Sequence, residues 1–144
     1  MKPAHEEPVL DAVHELMHLA RSRMRQLMVG AGHTLGPMEG RALAFFVRQP
    51  GSTLSDLVAH AGRDKGQLAR LVGSLRDLGL LESRPDEADR RVSRLYPTAA
   101  ALDIHQRVGA IRRQVAQQAV APLSAAERVQ LADLLERMNR QLRP

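Results

Sequence analysis

At 144 residues the chain is long enough for one domain to bury its own core, and the absence of cysteine excludes a disulfide scaffold, a thiol nucleophile, a Cys-ligated zinc site and a cysteine redox sensor. The formal net charge of +5 comes from 21 basic and 16 acidic residues, and lysine occurs only at Lys2 and Lys65. Arginine forks onto phosphate and onto guanine, so this balance leans toward nucleic acid.

The opening MKPAHEEPVL has no basic start followed by an apolar run, and nothing downstream resembles a membrane span, which points to a soluble cytoplasmic protein. Val9, Val13, Leu16, Met17, Ala20, Met24, Leu27 and Met28 recur at helical spacing before Gly30 and Gly32, predicting a long amphipathic first helix. Pro37 suits a first helical position, so a short, mostly buried second helix starts there, carries Leu43, Phe46 and Val47, and stops at the breaker Pro50-Gly51. In TLSD, Thr53 to Asp56, a hydroxyl and an acid three residues on form a capping box for a helix through Leu57 and Val58 that Gly62 closes.

Asp64 caps the next helix, with Gln67 at its third position and Leu68, Leu71, Val72, Leu75 and Leu78 as an apolar stripe ending at Gly79. Helix, four-residue turn, helix is the spacing of a helix-turn-helix, although many other helical pairs share it. LLESRP is strand-like, and beyond the charged loop Val92, Arg94 and Tyr96 alternate with Ser93 and Leu95, so the two runs make a β-hairpin. Thr98 opens a helix through Leu102, Val108, Ile111 and Val115 to the residue before Pro122. SAAE at Ser124 to Glu127 caps a last helix with the stripe Val129, Ala132, Leu135, Met138 and Leu142.

The implied fold class is mainly α (α+β). A winged helix-turn-helix spans 37–97, with its recognition helix at about 64–78 and its wing at about 80–97. Dimerisation helices over 1–36 and 98–144 flank it within one structural domain. The apolar stripes outside the winged module need cover, part of it from each other and the rest from a second copy, so a two-fold homodimer is expected.

On the wheel of the second motif helix, Gly66, Arg70, Gly73 and Asp77 lie opposite the leucines, flanked by Gln67, Ala69 and Ser74. Glycine costs about 1 kcal/mol in a helix interior relative to alanine, so two on an exposed face suggest close approach of another surface, and a major groove fits. The bland alternative is a solvated face with incidental glycines. The expected DNA-binding set is Arg63, Lys65, Gly66, Gln67, Arg70 and Ser74 on this helix and its lead-in, with Arg84, Arg90, Arg91 and Arg94 on the hairpin. Within DEADRRVSRLYPT, a wing entering a minor groove needs an arginine at its tip and an acid to hold its shape. Either Asp89 pairs with Arg91 while Arg90 points outward, or the arginines exchange roles. Asp86 is a second wing-structuring acid, Thr98 starts the returning helix, and Arg84 and Arg94 are candidates for phosphate contacts.

Together these features resemble the multiple antibiotic resistance regulator (MarR) family of bacterial transcription factors. The family's wing signature, an Asp, any residue, an Arg, six residues and a Thr, is met by Asp89, Arg91 and Thr98, with Asp86 preceding. LGPMEGRAL, STLSDLVAHAG and DKGQLARLVGSLRDLGLLESRPDEADRR follow the family's order of second helix, first motif helix, and recognition helix running into the wing. The resemblance covers about residues 9–142 and is most specific over 53–98; Ala101 departs from a frequent Gly, and RLYP from a more apolar strand end. It implies a homodimer with interleaved terminal helices, bound as a repressor to a near-palindromic double-stranded operator and released by a small-molecule effector of unknown identity. The effector would bind between the dimerisation helices and the DNA-binding lobe.

Two further readings stand beside this one. One is a winged-helix protein-interaction module without a DNA role, which would not need Lys65, Gln67, Arg70 and Arg90/Arg91. The other is a metal-responsive regulator using His14 and His18, four apart on the first helix, although two histidines fall short of a zinc ligand set and no metal or cofactor is expected. His105 falls on an apolar stripe, as a buried and satisfied histidine would. No nucleophile elbow occurs, so an enzyme is not expected.

Overall fold

In the computed structural model, which describes residues 7–32 and 35–144, six helices and one hairpin follow in the order α1 (Pro8–Gly30), α2 (Pro37–Arg48), α3 (Leu54–Ala61), α4 (Lys65–Asp77), β1 (Leu81–Pro85), β2 (Ser93–Pro97), α5 (Ala99–Val120) and α6 (Ala125–Leu142). The N-terminal segment expected over 1–36 is thus described only in part; 1–6, 33 and 34 lie outside the described residues. The described residues up to Leu27 form one compact unit with Ile111–Pro144, and Met28–Ala110 holds a second.

Local chemistry accounts for the boundaries in the second unit. Pro37 occupies the start of α2, where its missing N–H is no loss. Thr53 Oγ1 accepts from Asp56 N at 3.2 Å while Asp56 Oδ2 accepts from Thr53 N at 2.9 Å, the reciprocal box expected of TLSD. Gly62 ends α3 at φ 62°, in the left-handed region that glycine enters without a steric cost. Only Gly62, Arg63 and Asp64 separate α3 from α4, one residue fewer than expected, and Asp64 Oδ2 caps α4 by accepting from Gln67 N at 3.0 Å.

The core of this unit gathers Ala42, Leu43, Phe45 and Phe46 of α2, Leu57 of α3, and Leu68, Val72 and Leu75 of α4. Leu80, Leu81, Leu95 and Ala101 complete it. Phe46 and Leu75 are its fully buried large side chains, and the Phe45 and Phe46 rings meet edge to face at 5.2 Å. Leu78, expected on the buried stripe, is instead 57% exposed. The cause is the helix stop. Gly79 turns left-handed at φ 72°, its N–H donates to Arg76 O, and Leu80 N donates to Leu75 O at 2.9 Å. This Schellman turn hands the core position to Leu80.

β1 and β2 pair antiparallel in the register Ser83↔Leu95 and Arg84↔Arg94. One face buries Leu81 and Leu95; the other carries Glu82, Arg84, Arg94 and Tyr96. A bridge from Ser52 to Leu95 adds a short third rung that ties the hairpin to the turn after α2. Thr98 links the hairpin's end to its start: its hydroxyl donates to Gly79 O at 2.7 Å and accepts from Ala101 N, opening α5.

In the first unit, Val13, Ala20, Met24 and Leu27 make a half-buried seam on α1, and Val115 of α5 is buried. Ser124 and Glu127 form a capping box on α6, and the backbone and hydroxyl of Ser124 hold the Glu127 carboxyl below its ordinary pKa. Leu135 and Met138 are half-buried, whereas Val129 and Leu142 of the same stripe are exposed. No described helix is long and apolar enough to cross a membrane.

Candidate nucleic-acid interface

The capping of α4 by Asp64 fixes where that helix begins and so what its first turn displays. Lys65, Gly66, Gln67 and Arg70 are exposed there, and the Lys65 and Arg70 side chains make no hydrogen bond or ion pair within the described chain. Arg63, just ahead, reaches only the Met38 sulfur, at 3.8 Å. Ser74 and Gly73 are half-buried, so the outward face fades toward the C-terminal half.

The two glycines of α4 have different surroundings. A Cβ at Gly66 would sit 3.1 Å from Asp64 Oδ2, so the cap itself favours glycine there. Gly73 meets nothing within 4 Å and lines a shallow cleft of about 230 Å3 with Ala69, Val72, Arg76, Ser83 and Leu95. Gly73 is therefore half-buried at an open cleft beside the hairpin, with free space where a side chain would project.

The wing loop is built by its two aspartates. Asp86 Oδ2 accepts from Ala88 N at 3.1 Å and Asp89 N at 2.9 Å, and Asp86 N donates to Val92 O, closing the loop. Asp89 accepts from Arg91 N, from Arg91 Nε at 3.0 Å and from Arg91 Nη2 at 3.2 Å. Of the two arrangements open from spacing, the structure has Asp89 paired with Arg91. Arg90 is exposed beside them with no partner in the described chain.

Arg84 and Arg94 stand directly opposite across the hairpin, a like-charge pairing that destabilises a sheet unless each charge is answered. Arg84 bonds Glu82 at 3.1 Å and lies over the Tyr96 ring at 4.5 Å from its centroid. Arg94, expected to face phosphates, is bound within the protein: Nε donates to Asp86 Oδ1 at 2.5 Å and Nη1 to Gly51 O at 2.9 Å. The Arg94 guanidinium, followed by the loop amide of Asp89, holds the Asp86 carboxyl below its ordinary pKa, and Asp86 in turn raises that of Arg94.

Sequence reading missed the part played by Gly51 and Tyr96. Gly51 has φ 85°, its N–H donates to Leu95 O, and a Cβ on it would lie 3.1 Å from the Tyr96 hydroxyl oxygen and 3.3 Å from the ring. The glycine after Pro50 reads as a helix breaker; nothing in its neighbourhood signals a contact more than forty residues away.

His14 and His18 are exposed, and no group of three or more potential ligands gathers among the described residues. His105 is half-buried, not buried, and no polar partner among the described residues reaches it.

Residues 33–92 match the sequence model of the MarR family. Among curated proteins, the chain is 31% identical over 97 residues to the HTH-type transcriptional regulator PetP of Rhodobacter capsulatus, an alignment covering 65% of this chain and 58% of that one. The chain thus spans less than two thirds of the length of the curated relative it matches. Among solved structures, the YusO protein of Bacillus subtilis superposes with a TM-score of 0.80 at 17% identity, covering 92% of each chain. A mutant MepR of S. aureus bound to an oligodeoxyribonucleotide superposes with a TM-score of 0.72 at 20% identity, covering 96% of this chain and 100% of that one. These likenesses show the winged-helix fold of MarR proteins.

Proposed function

We propose that this chain, a MarR-family protein by the match of residues 33–92 and by its fold, is a dimeric, sequence-specific DNA-binding transcriptional regulator, a repressor released by a small-molecule effector. The observation that carries this reading is the set of cations with no partner among the described residues, on two separate projections of one winged module. Lys65 and Arg70 lie on the exposed start of α4, and Arg90 at the tip of the wing. A protein-interaction module has no need to hold these cations uncompensated while Arg84, Arg91 and Arg94 of the hairpin are each matched with an acid. The solved MepR complex with an oligodeoxyribonucleotide supports the same reading for this fold.

In the proposed complex, α4 enters the major groove. Lys65 and Gln67 meet base edges or phosphates and Arg70 forks onto a guanine, while the helix N-terminus favours a phosphate. Arg63, Gly66 and Ser74 border that contact, Arg84 flanks it on the hairpin, and Arg90 enters the adjacent minor groove, where narrow width concentrates negative potential. Arg91 is almost fully exposed, so its pair with Asp89 orients the tip without removing its charge from reach of the backbone. Dimerisation is supported by the apolar side chains the chain leaves exposed on α1 and α6, among them Leu16, Leu19, Val129 and Leu134.

Selection of duplexes from a random pool by the purified protein tests the reading. The expected product is an inverted repeat whose half-site centres lie about one helical turn, ~34 Å, apart. Arg70→Ala should relax one position in each half-site, by a discrimination of about 1–3 kcal/mol. A pool that yields no enriched sequence would refute sequence-specific binding.

A further inference from the structure

We infer that Arg94 is a positioning residue, which sets the wing's orientation on the DNA-binding lobe by tethering the wing loop to the α2–α3 turn. This rests on the DNA-binding reading above and assigns within it a role that charge alone would misplace.

The geometry is that of a tether. One guanidinium joins two segments far apart in sequence, donating from Nε to Asp86 at the base of the wing loop and from Nη1 to the carbonyl of Gly51. Each end is anchored. Asp86 also accepts the Ala88 and Asp89 amides that shape the loop, so a movement of Arg94 pulls on the backbone that presents Arg90. Gly51 is held by its own N–H on Leu95 O and by the Tyr96 ring packed over its Cα, which leaves its carbonyl a fixed point. The Asp86 side chain is 18% exposed and that of Arg94 42%, so the pair is partly shielded from water, unlike the outer pair of Arg91 and Asp89. A planar fork with donors on two nitrogens suits this task; an ammonium offers a point charge without the fixed angle between two bonds. The Asp86 carboxyl, held ionised by this pair, is consistent with it.

Two roles for Arg94 give opposite results in the full-length protein. If it positions the wing, Arg94→Lys and Arg94→Met should behave alike. Both should lose hydroxyl-radical protection of the operator flank under the wing, keep protection under α4, and leave the slope of log K against log salt unchanged. Arg90→Ala should instead lower that slope by about one per subunit. If Arg94 is a phosphate contact, Arg94→Lys should retain wild-type protection and affinity, and Arg94→Met should lower the slope; that pattern overturns the inference. Asp86→Asn gives an independent variant, which should reproduce the lost flank protection if the tether holds. Stronger binding with the flank still protected, as expected from releasing a phosphate-binding arginine, overturns it as well. Backbone relaxation of the free protein reads the tether without DNA: residues 86–92 should become more mobile in Arg94→Lys while α4 stays unchanged, and an unaltered loop overturns the inference. A wild-type chain that binds no DNA removes the DNA reading and the positioning role with it, a result distinct from a wild type that binds and an Arg94→Lys variant that matches it.

Discussion

Arg90 and Arg91 are adjacent and chemically identical, yet only Arg91 has an acid, because Asp89 bonds the backbone N–H of Arg91 and its guanidinium together. The sequence pattern limits the choice to these two arginines; the turn's hydrogen bonds select between them, and those depend on backbone angles that spacing does not encode. Arg94 shows the reverse situation, a residue whose charge suggests phosphate and whose partners, Asp86 and Gly51, are visible only once the hairpin folds back on the turn after α2. Two predictions belong at this scale. The Asp86 carboxyl carbon, followed by NMR, should titrate below the ordinary value of 3.8 and move up toward it in Arg94→Met. Because the folded-state pKa is the depressed one, the pair's contribution is complete above the unfolded value and is lost only as pH falls through the lowered one. Wing-loop relaxation should therefore be flat between about pH 5 and 8. The second prediction compares glycines at positive φ. Gly62→Ala meets open space and carries backbone strain alone, about 1–2 kcal/mol. Gly51→Ala must also displace Tyr96 and should lower the denaturation midpoint further.

At the scale of elements, the caps were the most legible features. The side chains of Thr53, Asp64 and Ser124 each accept the N–H expected of them, because a cap is decided by residues three apart and owes little to the rest of the fold. Thr53→Ala should destabilise the protein by about 1 kcal/mol in urea unfolding. The end of α4 was less legible. Periodicity extends the leucine stripe to Leu78, but a left-handed Gly79 sends Leu80 into the core in its place, a choice made by turn geometry against helical period. The two leucines should accordingly diverge. Leu75→Ala, at a site with no exposed surface, should cost about 2–5 kcal/mol, and Leu78→Ala less than about 0.5. The same limit explains Gly73. A helical wheel sorts residues by angle, and it cannot register that a hairpin will fold beside the face it calls outward.

For the whole molecule, the winged module is consistent at each level: capped helices, a shared core of α2, α3, α4 and the hairpin, and a wing whose charges are matched except at its tip. The fold was readable in advance because caps and stripes are local patterns, and the Asp89, Arg91 and Thr98 signature is local too. The terminal helices were readable as helices but not in their burial, since Leu16, Val129 and Leu142 stay exposed in a single chain. The proposed second copy would cover such surface, so light scattering at micromolar concentration should give twice the chain mass of 15.9 kDa. The central claim is that the cations of α4 and the wing left without a partner among the described residues are there for DNA. Its most direct test is fluorescence anisotropy of the DNA upstream of the protein's own gene, titrated at graded salt. The account predicts saturable binding whose log K falls linearly with log salt, with a shallower slope for Lys65→Ala, Arg70→Ala and Arg90→Ala combined. Binding that ignores salt, or a triple variant that binds as the wild type does, would contradict it.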